Sequence, residues 1–344
     1  MTSTLSSQRV SPAPELISAD DFPAGEFDPS GMLAGLIPLP THRPKRNPLD
    51  PARLINTPGW YGAGALAAGL GLLGLRALGW PGAAALGALG GAGLAYASRY
   101  EPSHPLLERR ELRFPQLPAA LDGLRIGQIA DTHLGLRYTE RNLAWAVEQM
   151  RREQPDLIAL TGDLAGHKAA IPSITPLLRP LRAPLGVYAV PGNHDYWEGL
   201  ADVRAALALA GIPLLINQGL RMSWRGAEFW LAGVDDAFDG RPDFAAARAG
   251  MPEGAFGVLL AHAPDLADDA ADHGFAFQLS GHSHGGHLRL PGLGAYTHPR
   301  FGVRYVIGHH HVGALQLYVS RGLGGAPLRL LCQPEATIFT LRRG

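Results

Sequence analysis

The chain has 344 residues, of which 46% are hydrophobic and only 17% charged, enough to bury the core of one large domain with appendages or of two smaller ones. Thirty basic and thirty acidic side chains cancel, which argues against nucleic-acid binding through a broad electropositive face. A single cysteine, Cys332, excludes an internal disulfide and a thiolate-rich zinc site, so any metal has to be held by His, Asp, Asn or Glu; 14 histidines are available.

Residues 1–58 are rich in Pro, Ser and Asp and lack a sustained apolar period, which predicts a disordered arm with a basic end. Residues 59–98 carry one charge, Arg76, over a length that holds two spans of about 20 residues. Pro81 and Gly82 lie where a hairpin between them would turn. Trp60, Tyr61, Trp80 and Tyr96 lie near the ends of the two spans, as interfacial anchors do, and Gly87 and Gly91 have the spacing that lets helices approach closely. A membrane anchor is therefore expected here. The competing readings are a buried Ala/Gly-rich helical pair and a cleaved export signal ending at Ala95-Tyr96-Ala97, whose apolar core would far exceed the usual length. His42, Arg43, Lys45, Arg46 and Arg53 precede the first span and favour a cytoplasmic amino terminus. A hairpin then returns residues 99–344 to the cytoplasmic face, whereas a single span places them outside.

From about residue 100 the pattern is that of an α/β domain. "LRIGQIA", "DLIAL", "GVYAV", "FWLAGV", "GVLLAH" and "FAFQLSG" read as short buried strands, and "ERNLAWAVEQMRREQ" and "GLADVRAALALAG" as helices between them. The last third, with "ALQLYVSRGLGG" and "ATIFTLRR", is richer in strand. Nearly every metal-capable side chain follows one of these strands: Asp131 and His133, Asp163, Asn193 with His194 and Asp195, His262, and finally His282 and His284. Loops at the carboxyl ends of strands converge in open α/β sheets, so these distant positions are expected to form one site. Asp-x-His and His-x-His after a strand place two ligands on one side of extended backbone. In Gly-Asn-His-Asp, Asn193 offers a neutral oxygen and Asp195 is positioned to fix the tautomer of His194. Each element alone is weak; their joint occurrence at successive strand ends is not.

The series "IADTHLG", "LTGDL", "VPGNHD", "AHAPD" and "GHSHGG" resembles the calcineurin-like metallophosphoesterase superfamily over roughly residues 122–342. The apolar amino-terminal segment and the tail "LYVSRGLGGAPLRLLCQPEATIFTL" resemble its membrane-associated bacterial branch of YkuE- and YaeI-type phosphodiesterases. The resemblance implies a sandwich of two mixed β-sheets flanked by helices. It also implies that Asp131, His133 and His284 hold one metal with Asp163, that Asp163 bridges to a second held by Asn193, His262 and His282, and that His194 is the catalytic histidine. Where the branch has Gly-His-Thr-His-Gly-Gly-Gln, this chain has Ser283 and His287; the hydroxyl is kept, and His287 is open to a substrate contact, an additional ion or solvent, with solvent the favoured reading. His309, His310 and His311 are expected in an exposed hairpin turn.

Two cations sharing a bridging carboxylate supply a hydroxide for in-line attack on phosphorus, so the implied reaction is hydrolysis of a phosphate ester, with a diester, and a lipid-linked one, as candidates. Mn, Fe, Zn, Co and Ni all suit such ligands; the oxygen share and the family favour Mn. The rival functions are a nuclease or cyclic-nucleotide phosphodiesterase and a non-catalytic membrane-tethered scaffold. The neutral charge weighs against a nuclease, and the full set of ligand-type residues weighs against a scaffold.

Overall fold

A computed structural model describes residues 69, 79–292, 294–295 and 297–344. The expected arm over 1–58 and the first expected span, but for Gly69, lie outside the described residues.

The short apolar runs fold into two mixed sheets. The first contains β1 (Leu106–Phe114), β2 (Arg125–Ile129), β3 (Leu157–Thr161), β4 (Val187–Val190) and, from the far end of the chain, β13 (Glu335–Arg343), in the order β1-β13-β2-β3-β4. Strands β2, β3 and β4 are parallel, while β13 runs antiparallel to β2 and parallel to β1. The second contains β5 (Gln218–Trp224), β6 (Ala227–Gly233), β7 (Gly257–Leu260), β8 (Phe277–Ser280), β11 (Gly308–Val312) and β12 (Leu315–Val319), in the order β11-β12-β8-β7-β6-β5. Its four central strands, β12, β8, β7 and β6, are parallel. Strands β9 (Arg289–Leu290) and β10 (Gly294–Ala295) form a small separate pair.

The sheets bury a common aromatic layer. Phe114 meets Phe256 edge-on at 5.2 Å and Phe277 meets Phe339 at 5.3 Å, all four fully or almost fully buried. Loss of one such ring costs about 3–5 kcal/mol. Outside the first sheet, helix α1 (Thr139–Glu153) buries Leu143, Ala146, Val147 and Met150, which recur at helical spacing. Outside the second, α5 (Phe244–Arg248) and α6 (Ala267–Asp272) cover Trp230, Leu259 and Leu317. Between them in the chain lie α2 (Ile174–Leu178), α3 (Asn193–Glu198) and α4 (Leu200–Leu209). A buried polar tie joins the sheets: the Gln128 amide on β2 donates to Thr161 Oγ1 on β3 and to the Ser280 carbonyl on β8, both at 3.0 Å.

Residues 79–95 are helical, and the helix continues through a wider turn at Tyr96–Tyr100 into Glu101–Ser103. The hairpin turn expected at Pro81 and Gly82 is not there: both are helical. The left-handed residue is Gly79 (φ +65°), and proline is tolerated in a first turn because its missing N–H would have no partner. Trp80, Leu89 and Leu94 are 75%, 70% and 60% exposed, so this apolar helix covers no core. Among the described residues no helix is long and apolar enough to cross a membrane.

The helix is nevertheless fastened to the domain. The buried Glu101 carboxylate accepts from Leu331 N (3.1 Å) and Cys332 N (2.5 Å), Arg329 N donates to the Ala97 carbonyl (2.8 Å), and Cys332 Sγ donates to the carbonyl of His284 (3.1 Å). Arg329 is itself fully buried and gives its guanidinium to the carbonyls of Gly324 and Cys332, at 2.6 and 3.1 Å. Truncating Glu101 leaves the buried Cys332 amide and the part-buried Leu331 amide without their acceptor. We expect Glu101→Ala to destabilise the chain by about 2–4 kcal/mol, read from the midpoint shift in urea unfolding at unchanged slope; a shift below about 0.5 kcal/mol would contradict this account of the clamp.

Candidate metal centre

Each strand that ends at this rim delivers its polar residues through a sharp turn. Asp131 and His133 follow β2, Asp163 follows β3, Asn193 and His194 open α3 after β4, His262 follows β7, and His282 and His284 follow β8. The backbone is not extended there, as the i, i+2 expectation required. Asp131, His133, Asp163, His282 and His284 all have positive φ, between 45° and 69°. A non-glycine residue in this region costs roughly 1–3 kcal/mol, and five together mark a site whose geometry is enforced by its surroundings. The enforcing bonds are main-chain ones: Asp131 N to Gly162 O (3.0 Å), His133 N to Asp163 O (2.9 Å) and Gly281 N to His262 O (3.0 Å). Two glycines are also required by close approach. A Cβ at Gly281 would run into the Asp131 carboxylate, and one at Gly192 into that of Asp163.

Two groups of ligand atoms result, one of Asp131, His133, Asp163 and His284 and one of Asp163, His262 and His282, all buried and each gathered within 4.8 Å. Asp163 belongs to both. Its Oδ2 lies 3.4 Å from His133 Nε2 and 3.3 Å from His262 Nε2, while its Oδ1 accepts from His194 N at 2.8 Å. His133 Nε2 and His284 Nε2 are 3.1 Å apart, as are His282 Nδ1 and His262 Nε2. Imidazole nitrogens so placed around a carboxylate oxygen fit a shared cation, which would take the place of the protons between them. Asp131 Oδ2 and Asn193 Oδ1 are buried without a hydrogen-bond partner, as a cation's ligands would be. The outer nitrogens of two histidines are accounted for: His262 Nδ1 meets the Thr161 carbonyl at 2.8 Å and His282 Nε2 the Arg300 carbonyl at 2.7 Å, which turns their inner nitrogens toward each other.

Burial and mutual charge set the protonation of this cluster. Burial holds His133 and His282 down, to about 3 and about 4, so both are neutral at pH 7. Burial also depresses His262, but Asp163, Asp131 and Asp236 outweigh it and lift that imidazole to about 10. Asp163 stays well below the usual carboxylate range, burial being overcome by His262, His194 and His133. Asp131 is pushed up to about 7 by burial, against the pull of His262.

His194 packs between His133 and Trp197, each ring 4.4 Å away. Asp195, expected to orient it, is engaged by the main chain. Asp195 sits in the first turn of α3, and its carboxylate is taken up by the amides of Gly192, Leu164 and Ala165 at 2.9 to 3.1 Å. Asp195 therefore braces the Asp163 loop. His287 does not point to solvent: it stacks on His284 at 4.5 Å, half-buried, and lines the cleft. His309, His310 and His311 form edge strand β11 rather than a turn, with His309 and His311 exposed.

The cleft above these groups has a volume of about 340 Å³. Beyond the ligand set, Trp197, Phe238 and Arg300 line it, none of them singled out in the sequence. Asp236 was also missed, although it follows the apolar run of β6 just as the other acidic residues follow theirs. It is buried beside His262, and burial pushes it up to about 7.

The profile of the calcineurin-like phosphoesterase family matches residues 124–313. The chain is 35% identical over 273 residues to the uncharacterized metallophosphoesterase YkuE of Bacillus subtilis, covering 76% of this chain and 94% of that protein. It is 32% identical to phosphodiesterase YaeI of Escherichia coli, covering 72% and 93%, and 31% identical to a zebrafish transmembrane protein with metallophosphoesterase domain, covering 68% and 56%. Among solved structures, TT1561 of Thermus thermophilus is 18% identical with a TM-score of 0.40, covering 58% of this chain and 90% of that one. With the strand-end ligand groups, the family profile and the YkuE and YaeI matches in agreement, the chain belongs to the calcineurin-like metallophosphoesterase family.

Proposed function

We infer that the chain is a membrane-anchored phosphodiesterase using two divalent cations. The observation that carries this reading is the Asp163 carboxylate, whose Oδ2 lies within 3.4 Å of a histidine from each ligand group. Asp131, His133, Asp163 and His284 would hold one ion, and Asp163, Asn193, His262 and His282 the other. Mn²⁺ suits the mixture of carboxylate, amide oxygen and imidazole. Bound there, the ions would supply a nucleophilic water of near-neutral pKa and neutralise charge growing on the phosphoryl oxygens. His194 stands beside His133 at the cleft, where a ring nitrogen can donate a proton to the departing ester oxygen. The His262 and His282 outer bonds hold their rings still, and the Asp195 bonds hold the turn that presents Asp163.

The domain division that accompanies this reading is an arm over 1–58, an anchor over 59–98 and the catalytic domain over 99–344. The exposed apolar helix 79–95 supports attachment to a bilayer, as does the name of the zebrafish relative. A two-span hairpin would put the catalytic domain on the cytoplasmic face, close to lipid-linked phosphodiesters.

The full chain should hydrolyse bis-p-nitrophenyl phosphate with Mn²⁺ and lose that activity to chelator. Asp163→Ala should lower kcat/KM by about 10³-fold or more, and His194→Ala by about 10²–10⁴-fold with metal content retained. Activity indifferent to chelation and to Asp163→Ala would defeat the enzyme reading. The sign of the pH dependence follows from His262. Held at about 10 in the metal-free protein, it carries a proton at pH 7 that must leave before Nε2 can bind an ion. Calorimetric titration with Mn²⁺ in buffers of different ionisation heat should show release of about one proton or more, with affinity falling as pH falls; uptake, or no exchange, would contradict the ligand set. Carbonate extraction of membranes at alkaline pH should leave the full chain in the pellet, and release would remove the anchor.

A further inference from the structure

The wall of the cleft carries a cation that the hydrolysis chemistry does not use. Arg300 sits in a tight turn closed by Gly302 N donating to Pro299 O at 3.0 Å, with Phe301 at φ +66°. The turn is braced on both sides. Its Arg300 carbonyl meets His282 Nε2 at 2.7 Å, and the Phe301 carbonyl accepts from Asp265 N at 3.1 Å. The Asp265 carboxylate in turn accepts from Val303 N, Arg304 N and Tyr305 N at 3.0 to 3.2 Å. The backbone under Arg300 is thus bonded both to a ligand histidine and to the Asp265 turn.

The side chain is pre-set as well. The guanidinium carbon stands 4.5 Å over the Phe301 ring and 5.6 Å over that of Phe238. Phe238 lies edge-on to Trp197 at 5.9 Å, and Trp197 is 4.4 Å from His194. A succession of rings therefore leads outward from His194 to an exposed, stacked guanidinium at the mouth. Stacking on aromatic faces lowers the entropy lost when an arginine binds, and its planar fork matches carboxylate or phosphate. A group protonated by His194 would leave along this side.

We propose that Arg300 is a specificity-determining residue, and that it receives a second anionic group, carboxylate or phosphate, carried on the leaving portion of the substrate several bonds from the scissile phosphorus. The inference rests on the two-metal reading of the floor but makes its own demand: the preferred ligand has two separated anionic groups, not one.

Non-hydrolysable probes separate the two readings. With Mn²⁺-loaded full chain in detergent at about 0.15 M salt, calorimetry compares propylphosphonate with 3-phosphonopropionate, 5-phosphonopentanoate and propane-1,3-bisphosphonate. At least one doubly anionic probe should bind about tenfold or more tightly than propylphosphonate. Arg300→Ala should reduce that ratio to below about twofold, and Arg300→Lys should keep part of it, the charge remaining without the fork. The carboxylate and phosphonate arms report which anion is preferred. A ratio below twofold in the parent chain for all three, or a ratio unchanged in Arg300→Ala, overturns the proposal. Because binding is read without turnover, an Arg300-dependent preference in a protein that cleaves no diester would uphold the subsite and defeat the phosphodiesterase reading. Mn²⁺-dependent cleavage with no such preference would do the reverse.

Discussion

One carboxylate holds the centre together. Asp163 reaches the histidines of both ligand groups with Oδ2 while Oδ1 fixes the amide of His194, so its position sets three things at once. That position is not cheap to maintain. The residue has a left-handed backbone, it is fully buried, and it lies against a glycine that tolerates no Cβ. It stays ionised because His262, His194 and His133 surround it, and it stays in place because Asp195 holds the next two amides of its loop. Remove either support and the two groups lose their common member.

The sandwich exists, from the site's point of view, to bring this carboxylate to residues it would otherwise never meet. Asp131, Asp163 and Asn193 come from the first sheet, and His262, His282 and His284 from the second. Gln128 ties the sheets directly beneath them, and the aromatic layer below that fixes their separation. Such a site is intolerant of sliding, because a shift of one sheet along its strands by one residue, about 3.3 Å, would carry its ligands out of reach of those on the other sheet. The five left-handed residues are a cost that this packing offsets.

Much of this is legible in the chain, for stated reasons. Parallel central strands, buried on both faces, read as continuous apolar runs, so β2, β3, β4, β7 and β8 are visible, and the residues just after them follow. Strands β1 and β5 are not, because each is only partly buried along much of its length and carries charge, as in "LLERRELRF". The convergence of Asp131 with His133 is foreseeable but not its cause, since backbone left-handedness at a non-glycine residue leaves no mark in a single sequence. The brace at Asp195 is hidden for a related reason: proximity in sequence to His194 says nothing of the three amides that the helix start and the Asp163 loop bring to it. His287 and Arg300 are likewise decided by partners far along the fold or by ring stacking, which composition does not reveal.

The fastening of the exposed helix has a mechanical meaning. A long Gly/Ser linker would uncouple the domain from the helix that precedes it. Here the path from the helix end to the backbone of His284 runs through Glu101, the Leu331 and Cys332 amides and one thiol, with no slack segment between. The unit is mounted like an instrument on a rigid post, and tilting the post moves the instrument with it.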